Sequence, residues 1–321
     1  MLCLLLILIY VALALCISQV EAFLPAPSYN KKPNTTTAGN CHRRALLFAQ
    51  QEAFPASISS GKRQRSRIPV LKYESNWVCV NKPAGMTVHR GNGTPKSSPV
   101  VQTTIKRQLS RKVYPVHRLD HRTSGALLFA FDSDTCGKLH SALRDGDKEY
   151  ICLVRGEIAN NDAIFTVDKP LQVNGIEKDA ITEFQVLATY GGIMKNDDKY
   201  PTGACSILRA KPKTGRLHQI RRHAFHMGHP IIGDTRRGDT TVNRYFRETF
   251  GINRLVLHCL SLKLEVDGDQ RLITAPFSEE LVTCLEQLPV WQRALDKEPR
   301  LGLPHYDETG GTLSQQNLKS L

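Results

Sequence analysis

The chain has 321 residues, and 41% of them are hydrophobic, so it can build one large or two small domains around a sizeable core. Its 43 Lys and Arg outnumber 30 Asp and Glu, for a formal net charge of +13. This excess favours a polyanionic partner, nucleic acid or an anionic membrane, although a basic surface that only aids solubility stays open. The nine cysteines include no Cys-x-x-Cys pair, which argues against a disulfide scaffold and indicates a reducing compartment.

The first 69 residues differ from the rest of the chain. Residues 1–20 are almost wholly apolar, and Ala22 is a plausible signal-peptidase position, so residues 1–22 are predicted to be a signal peptide or a membrane anchor. Residues 23–69 carry eight Lys and Arg against a single acid, Glu52, with many Ser, Thr and Pro. That composition predicts a disordered, transit-like leader.

Together the two segments are typical of a bipartite signal and transit presequence, which predicts a plastid location. A mitochondrial location, an endomembrane location and a basic arm that stays on the protein and binds RNA are the alternatives. Association with a membrane is expected only if residues 1–20 are not cleaved. Nothing in the sequence demands an oligomer, so a monomer is expected.

The body of the chain is predicted to span residues 70–290, followed by a flexible tail at 291–321. Apolar runs and turn signals predict strands at residues 77–80, 126–131, 149–154, 204–210 and 255–266, and helical spacing predicts helices at 134–144, 217–227 and 279–287. The strands and short helices do not alternate regularly. This pattern favours an α+β fold with a largely antiparallel mixed sheet and flanking helices and loops.

One carboxylate is placed among cations just before a predicted buried strand. Residues 117–125 read His-Arg-Leu-Asp-His-Arg-Thr-Ser-Gly, and the Thr-Ser-Gly end favours a tight turn. Nearby cations favour the ionised form of a carboxylate, here Asp120. Such a residue suits a nucleophile or an anionic catalyst, although a lone Asp in this setting also fits an ordinary surface salt bridge.

Residues 117–125 resemble the catalytic signature of the RluA family of RNA pseudouridine synthases. Three further blocks resemble that family in the same order: residues 81–89, Lys148-Glu149-Tyr150, and residues 215–221, which read Gly-Arg-Leu-His-Gln-Ile-Arg. The stretch from residue 233 to 258 looks like the TruC-like branch (the tRNA uridine-65 type). The resemblance covers most of the body and implies the pseudouridine synthase catalytic fold.

The resemblance also implies an activity and a site. The enzyme would isomerise a uridine of RNA to pseudouridine without a cofactor, with tRNA as the favoured substrate and rRNA as the alternative. Asp120 would be the catalytic carboxylate, Tyr150 would pack against the target base, and Arg216 would form an ion pair with Asp120. Arg118, beside Asp120, is a candidate either to fill the gap left by the flipped nucleotide or to hold the flipped backbone. Contacts with phosphates are expected from Lys82, Arg122, Arg221 and Arg222.

The chain departs from the family pattern at three positions. His121 stands where Lys or Arg is usual, Leu217 where a polar residue is common, and Arg237 where an aromatic residue or His is frequent. None of them touches Asp120, Tyr150 or Arg216, so they bear on the choice of RNA rather than on the chemistry.

Two other functions are compatible with parts of the sequence. A catalytically retired RNA-binding protein would keep the fold without the reaction. A metal-dependent hydrolase would use four histidines, at positions 218, 223, 226 and 229. Their spacing prevents three of them from sharing one helix face, and no Cys pair or Glu completes a ligand set, so no metal is expected.

Overall fold

The structure, a computed structural model, describes residues 67–91, 98–158, 162–194 and 203–303. The predictions for residues 1–22, for residues 23–66 and for residues 304–321 lie outside these ranges. No helix in the described part of the chain is long and apolar enough to cross a membrane.

A mixed sheet of ten strands dominates the described part of the chain, and two further strands pair as a separate hairpin. The strands are β1 (Val70–Tyr73), β2 (Trp77–Lys82), β3 (Tyr114–Pro115), β4 (Ser124–Ala130), β5 (Asp147–Arg155), β6 (Ile164–Asp168), β7 (Leu171–Val173), β8 (Ile176–Lys178), β9 (Ile181–Tyr190), β10 (Cys205–Pro212), β11 (Leu257–Val266) and β12 (Asp269–Thr274). Across the sheet the order is β1-β2-β4-β11-β5-β10-β9-β6, with β12 beside β11 and β3 beside β4, while β7 and β8 form the hairpin. Strands β4 and β11 are parallel, and the other paired strands are antiparallel.

Helices cover both faces of this sheet. They are α1 (Val101–Gln108), α2 (Ser133–Asp145), α3 (Gln219–His226), α4 (Thr240–Phe250), α5 (Glu279–Leu285) and α6 (Pro289–Lys297), followed by a 3-10 turn at Pro299–Gly302. Apolar side chains of α1, α2 and α3 pack into one core, and those of α4, α5 and α6 pack into a second. The predicted α+β fold with a largely antiparallel sheet is confirmed.

Strand β5 shows why the central strands read as continuous apolar runs. Cys152 and Val154 contribute to the first core, while Ile151 and Leu153 contribute to the second. Successive side chains of a strand point to opposite faces, so a strand that is covered on both faces must be apolar at nearly every position. Tyr150 lies at the start of this buried stretch and faces the same core as Cys152.

The predicted boundary at residue 290 is wrong, because the fold continues beyond it. Trp291 is 2% exposed and Leu301 is fully buried in the second core. An ion pair between Arg209 of β10 and Glu298 also ties this segment to the sheet. Residues 291–303 therefore belong to the folded domain and not to a tail.

Candidate active site

Asp120 lies on the loop that joins β3 to β4, and backbone hydrogen bonds fix this loop. The Thr123 N–H donates to the Asp120 carbonyl at 3.1 Å and closes a tight turn. The Gly85 N–H donates to the His121 carbonyl at 2.8 Å. The Lys82 ammonium donates to the carbonyls of Thr123 and His121 at 2.6 and 3.3 Å. Residues 81–89 therefore support the loop of residues 117–125 that carries Asp120.

Lys82 is fully buried, so the prediction that it contacts RNA phosphate is wrong. Burial and, to a smaller extent, the charge of Arg254 lower the pKa of this lysine to about 7, against the opposing charge of Asp120. A third hydrogen bond, to the Pro83 carbonyl at 2.9 Å, completes the set that its three N–H groups can make. Lys82 is thus a positioning residue of the Asp120 loop.

A close approach of two strands sets the distance between the Asp120 loop and Tyr150. Gly125 of β4 pairs with Cys259 of β11, and Cys259 pairs with Tyr150 of β5. A Cβ atom on Gly125 would lie 2.2 Å from the Cys259 carbonyl oxygen, so only glycine fits there. Neighbouring strands are about 4.8 Å apart, so β4 and β5 lie about 10 Å apart with β11 between them.

The partner of the Asp120 carboxylate is Arg221 of α3. Its Nη1 donates to Asp120 Oδ2 at 3.1 Å, while its Nε and Nη2 donate to the two carboxylate oxygens of Asp234 at 2.8 and 2.9 Å. The Arg221 side chain is 5% exposed and Asp234 is 1% exposed. The prediction that Arg221 contacts phosphate is therefore wrong, because its Nε, Nη1 and Nη2 donate to the carboxylates of Asp120 and Asp234.

The predicted ion pair between Arg216 and Asp120 is also wrong. Arg216 lies in the turn before α3, where its Nε donates to the Asp179 carbonyl at 2.8 Å. The side chain of Gln219 holds this turn, since its Oε1 accepts hydrogen bonds from the Arg216 N–H and from the Thr214 hydroxyl. Arg216 still lines the same cleft as Asp120.

His218 is a second neighbour of Asp120, and the sequence did not single it out for the site. Its Nε2 lies 3.8 Å from Asp120 Oδ2, and it precedes α3 in a left-handed conformation with φ of 55°. Burial lowers the pKa of His218, although the charge of Asp120 opposes that shift. His218 directly precedes α3, three residues before Arg221, and both side chains reach Asp120.

Tyr150 lies across the cleft and is 8% exposed. Burial raises the pKa of its hydroxyl group, and Cys259 and the charge of Asp120 raise it further. The hydroxyl therefore stays protonated, and the ring presents an uncharged, partly apolar surface to the cleft.

These residues surround a cleft of about 760 Å³. Asp120, Tyr150, Arg118, Arg216 and Arg221 all line it, so the structure brings five predicted site residues together. Of the described residues that line the cleft, six are Lys or Arg and one, Asp120, is acidic. The cleft is therefore a cationic pocket with a single fixed anion at its floor.

The other two predicted phosphate ligands lie outside the lining of the cleft. Arg122 Nη1 donates to the Thr235 hydroxyl at 2.5 Å, and Arg222 Nη1 donates to the Gln172 carbonyl at 2.8 Å. Among the residues that the structure describes, no three His, Cys, Asp or Glu are grouped to hold a metal ion. The ring nitrogens of His223 instead contact the Thr182 hydroxyl and the Lys169 carbonyl.

Comparisons with known proteins agree with this arrangement. A family described as RNA pseudouridylate synthase matches residues 76–226. The chain is 34% identical over 241 residues to tRNA pseudouridine synthase C of Vibrio vulnificus (strain CMCP6), covering 72% of this chain and 95% of the relative. It is 37% identical over 204 residues to the protein of the same name from Haemophilus ducreyi, covering 60% and 82%.

Two solved human structures share the fold. RNA Pseudouridylate Synthase Domain Containing 1 superposes with a TM-score of 0.52 at 22% identity, covering 68% of this chain and 86% of that one. RNA Pseudouridylate Synthase Domain Containing 4 gives a TM-score of 0.52 at 21% identity, covering 68% and 92%.

A mixed sheet with a half-buried carboxylate on a loop in a cationic cleft is typical of an enzyme that acts on a polyanion. Together with these relatives, the site identifies the family. The chain belongs to the RluA family of RNA pseudouridine synthases, enzymes that isomerise uridine in RNA to pseudouridine.

Proposed function

We propose that this enzyme acts on a specific uridine of tRNA and that Asp120 is its catalytic carboxylate. The observation that carries the proposal is the link from Asp234 through Arg221 to Asp120 at the floor of the cationic cleft. The relatives named above are tRNA pseudouridine synthases, which supports tRNA as the substrate class.

The reaction needs a fixed anion in the active site and no cofactor. Pseudouridine formation breaks the bond from ribose C1′ to uracil N1 and joins C1′ to C5 of the turned base, while C5 loses its proton to solvent and N1 takes one up, so the product is an isomer of uridine. Nothing is oxidised or reduced, so the reaction balances without a cofactor. Asp120 supplies the charged group that works on the uridine, and Arg221 holds its carboxylate in the cleft.

Substrate must enter the cleft as a single nucleotide, because its base is otherwise stacked and paired. Tyr150 offers its ring to the uracil, and the exposed guanidinium of Arg118 lies at the mouth of the cleft, where it can take the space that the base leaves. The surrounding cations meet the phosphates, so RNA affinity is expected to fall as salt rises.

The test is pseudouridine mapping on tRNA and rRNA incubated with the purified wild type, D120N or D269N. Asp269 is an exposed carboxylate on β12, so D269N removes the same charge elsewhere. We expect one tRNA position to be modified by wild type and D269N, and activity of D120N to fall at least about 1,000-fold while RNA binding persists. Near-normal turnover by D120N would refute the role of Asp120. Modification of rRNA alone would refute the tRNA assignment, and binding without turnover by wild type would indicate a retired enzyme.

We further propose that residues 1–69 deliver the enzyme to a plastid. The support is the apolar first segment followed by a basic segment that is rich in hydroxyl residues. A fusion of residues 1–69 to a fluorescent protein, expressed in the source organism, should accumulate in plastids. Accumulation in mitochondria or endomembranes would overturn this assignment.

A further inference from the structure

Four arginines surround the turn that follows Asp234, next to α3. This arginine cluster consists of Arg122, Arg222, Arg236 and Arg237. The Arg122 side chain reaches the turn through its hydrogen bond to Thr235. This turn is joined to the proposed catalytic side chains, because Asp234, which precedes it, binds Arg221.

Asp234 has no hydrogen-bond acceptor left for the guanidinium groups of this cluster. Its Oδ1 accepts hydrogen bonds from Arg221 Nη2 and from the backbone N–H groups of Arg236 and Arg237, at 2.9, 2.9 and 3.2 Å. Its Oδ2 accepts from Arg221 Nε at 2.8 Å. A carboxylate can accept about four hydrogen bonds, so Asp234 is saturated.

The other nearby carboxylates are also engaged. Asp120 pairs with Arg221, and Asp239 pairs with Arg155. Within the described ranges, none of the four guanidinium groups of the arginine cluster forms an ion pair. The cluster therefore brings four positive charges to one surface, and none of them is held by a direct ion pair with a described carboxylate.

Arg237 shows the consequence most clearly. Its Nη1 is buried and has no hydrogen-bond partner among the described residues. Burial lowers the pKa of Arg237, and the charges of Arg221, Arg222 and Arg236 lower it further, against the opposing charge of Asp234. A buried, charged donor without an acceptor is unfavourable, and an anion bound beside it would remove that cost.

We propose that Arg236 and Arg237, together with Arg222, bind a backbone phosphate of the RNA beside the target uridine. A phosphate offers several charged acceptor oxygens, and planar guanidinium groups bind it in a bidentate manner. The site is connected to the catalytic centre by only two residues, since Asp234 binds Arg221 and Arg221 binds Asp120. Arg237 is one of the positions where the chain departs from the family pattern, so this contact distinguishes its RNA recognition. The placement of the phosphate beside the target uridine rests on the proposed role of Asp120.

The test compares RNA binding by wild type, R236Q/R237Q, R237K and R271Q across a salt series. Arg271 is an exposed arginine on β12 that pairs with Asp269, so R271Q is a matched loss of charge away from the cleft. For R236Q/R237Q we expect the dissociation constant for tRNA to rise about tenfold, with the slope of log affinity against log salt shallower by about 1. R237K should keep most of the slope, and R271Q should match wild type. The kinetic loss should be larger in KM than in kcat.

An unchanged affinity and salt slope in R236Q/R237Q would overturn the proposal. So would a loss confined to kcat, which would mean that these arginines act through Arg221 rather than on the RNA. If inorganic phosphate inhibits RNA binding by wild type and by R236Q/R237Q at the same concentration, that result would also count against the site. The binding assay does not need turnover. A change in slope with a wild type that fails to modify tRNA would therefore reject the proposed function and keep this site.

Discussion

At the scale of single residues, the Asp120 carboxylate depends on a buried arginine that a second carboxylate holds in place. Although burial raises the pKa of Asp234, hydrogen bonds from Arg221 and from the backbone lower it below its usual range. Asp234 therefore stays ionised and fixes Arg221 through two parallel hydrogen bonds. Only Nη1 of Arg221 is left for Asp120, so the contact has a set direction.

The first prediction compares R221M with R216M. R221M leaves Asp234 buried without its partner and frees Asp120 to move, so we expect kcat to fall about 100-fold or more and the free energy of unfolding to fall by about 3–5 kcal/mol. R216M removes a contact to a backbone carbonyl and should cost far less stability. Steady-state kinetics and urea unfolding of both variants give the measurement. Equal loss of activity and stability in the two would contradict the assigned pairing.

The sequence located Asp120 and Tyr150 but not the arginine that binds Asp120. Arg216 and Arg221 belong to the same family-like block, and their roles depend on where the helix begins. The helix begins at Gln219, after His218 in the left-handed conformation. Arg216 therefore lies before the helix, where it binds the Asp179 carbonyl instead of Asp120. Tertiary contacts determine that start, so residue spacing alone could not assign the partner.

At the scale of elements, the parallel contact between β4 and β11 joins the Asp120 loop to the rest of the sheet. Gly125 has φ of +114°, in addition to its close approach to Cys259. G125A should therefore separate the strands and lower the free energy of unfolding by more than about 2 kcal/mol. Gly137 lies in α2 with open space around it, so G137A should raise stability by about 0.5–1 kcal/mol. Urea unfolding of both variants provides the comparison, and a neutral G125A would contradict the model of strand contact.

His258 on β11 predicts how stability depends on pH. Its ring is buried between the Ser124 hydroxyl at 2.8 Å and the Ala275 carbonyl at 2.9 Å, and it stacks on Phe277. Burial lowers its pKa from 6.5 to about 3. At pH 5 the unfolded chain therefore binds a proton that the native chain does not, so stability is lost as pH falls from about 6.5 toward 3.

H258Q should remove this part of the pH dependence, whatever its absolute stability. Between pH 7 and pH 5 the wild type should lose about 2 kcal/mol more of its unfolding free energy than H258Q loses. H89Q, which replaces an exposed histidine, should follow the wild type. Urea unfolding at the two pH values is the measurement, and identical losses in wild type and H258Q would refute the assignment.

Elements that are buried on both faces could be predicted, and those with a weaker pattern could not. β2, β4 and β5 are apolar runs, and the structure confirms all three. Helix α4 was not predicted, although its sequence carries a helix signal. Asp239 caps its first turn, and Val242 and Phe246 lie four residues apart on its buried face. β6 is exposed at three of its five positions and β8 at all three, so neither strand gives the continuous apolar run of a buried strand.

At the scale of the whole molecule, the last described residues pack against the sheet and bind it through ion pairs. Arg300 binds Glu149 at 2.8 Å and Glu298 at 2.7 Å, and Glu149 also binds Lys211 at 3.0 Å. Although burial raises the pKa of Glu149, the hydrogen bonds from Lys211, Ser261 and Arg300 lower it to about 2. Glu149 directly precedes Tyr150 on β5, so this network stabilises the strand that presents the tyrosine.

The last prediction concerns where the domain ends, which the sequence placed near residue 290. A chain that ends after Leu288 loses α6 and the 3-10 turn, so it uncovers the second core where Trp291 and Leu301 are buried. Loss of one such aromatic side chain costs about 3–5 kcal/mol, and a whole domain is stable by only about 5–15 kcal/mol. This chain should therefore show no cooperative unfolding transition in urea. A chain that ends after Leu303 keeps every described residue and should unfold at the wild-type midpoint. A cooperative transition at that same midpoint in the shorter chain would show that α6 is dispensable and restore the boundary near residue 290.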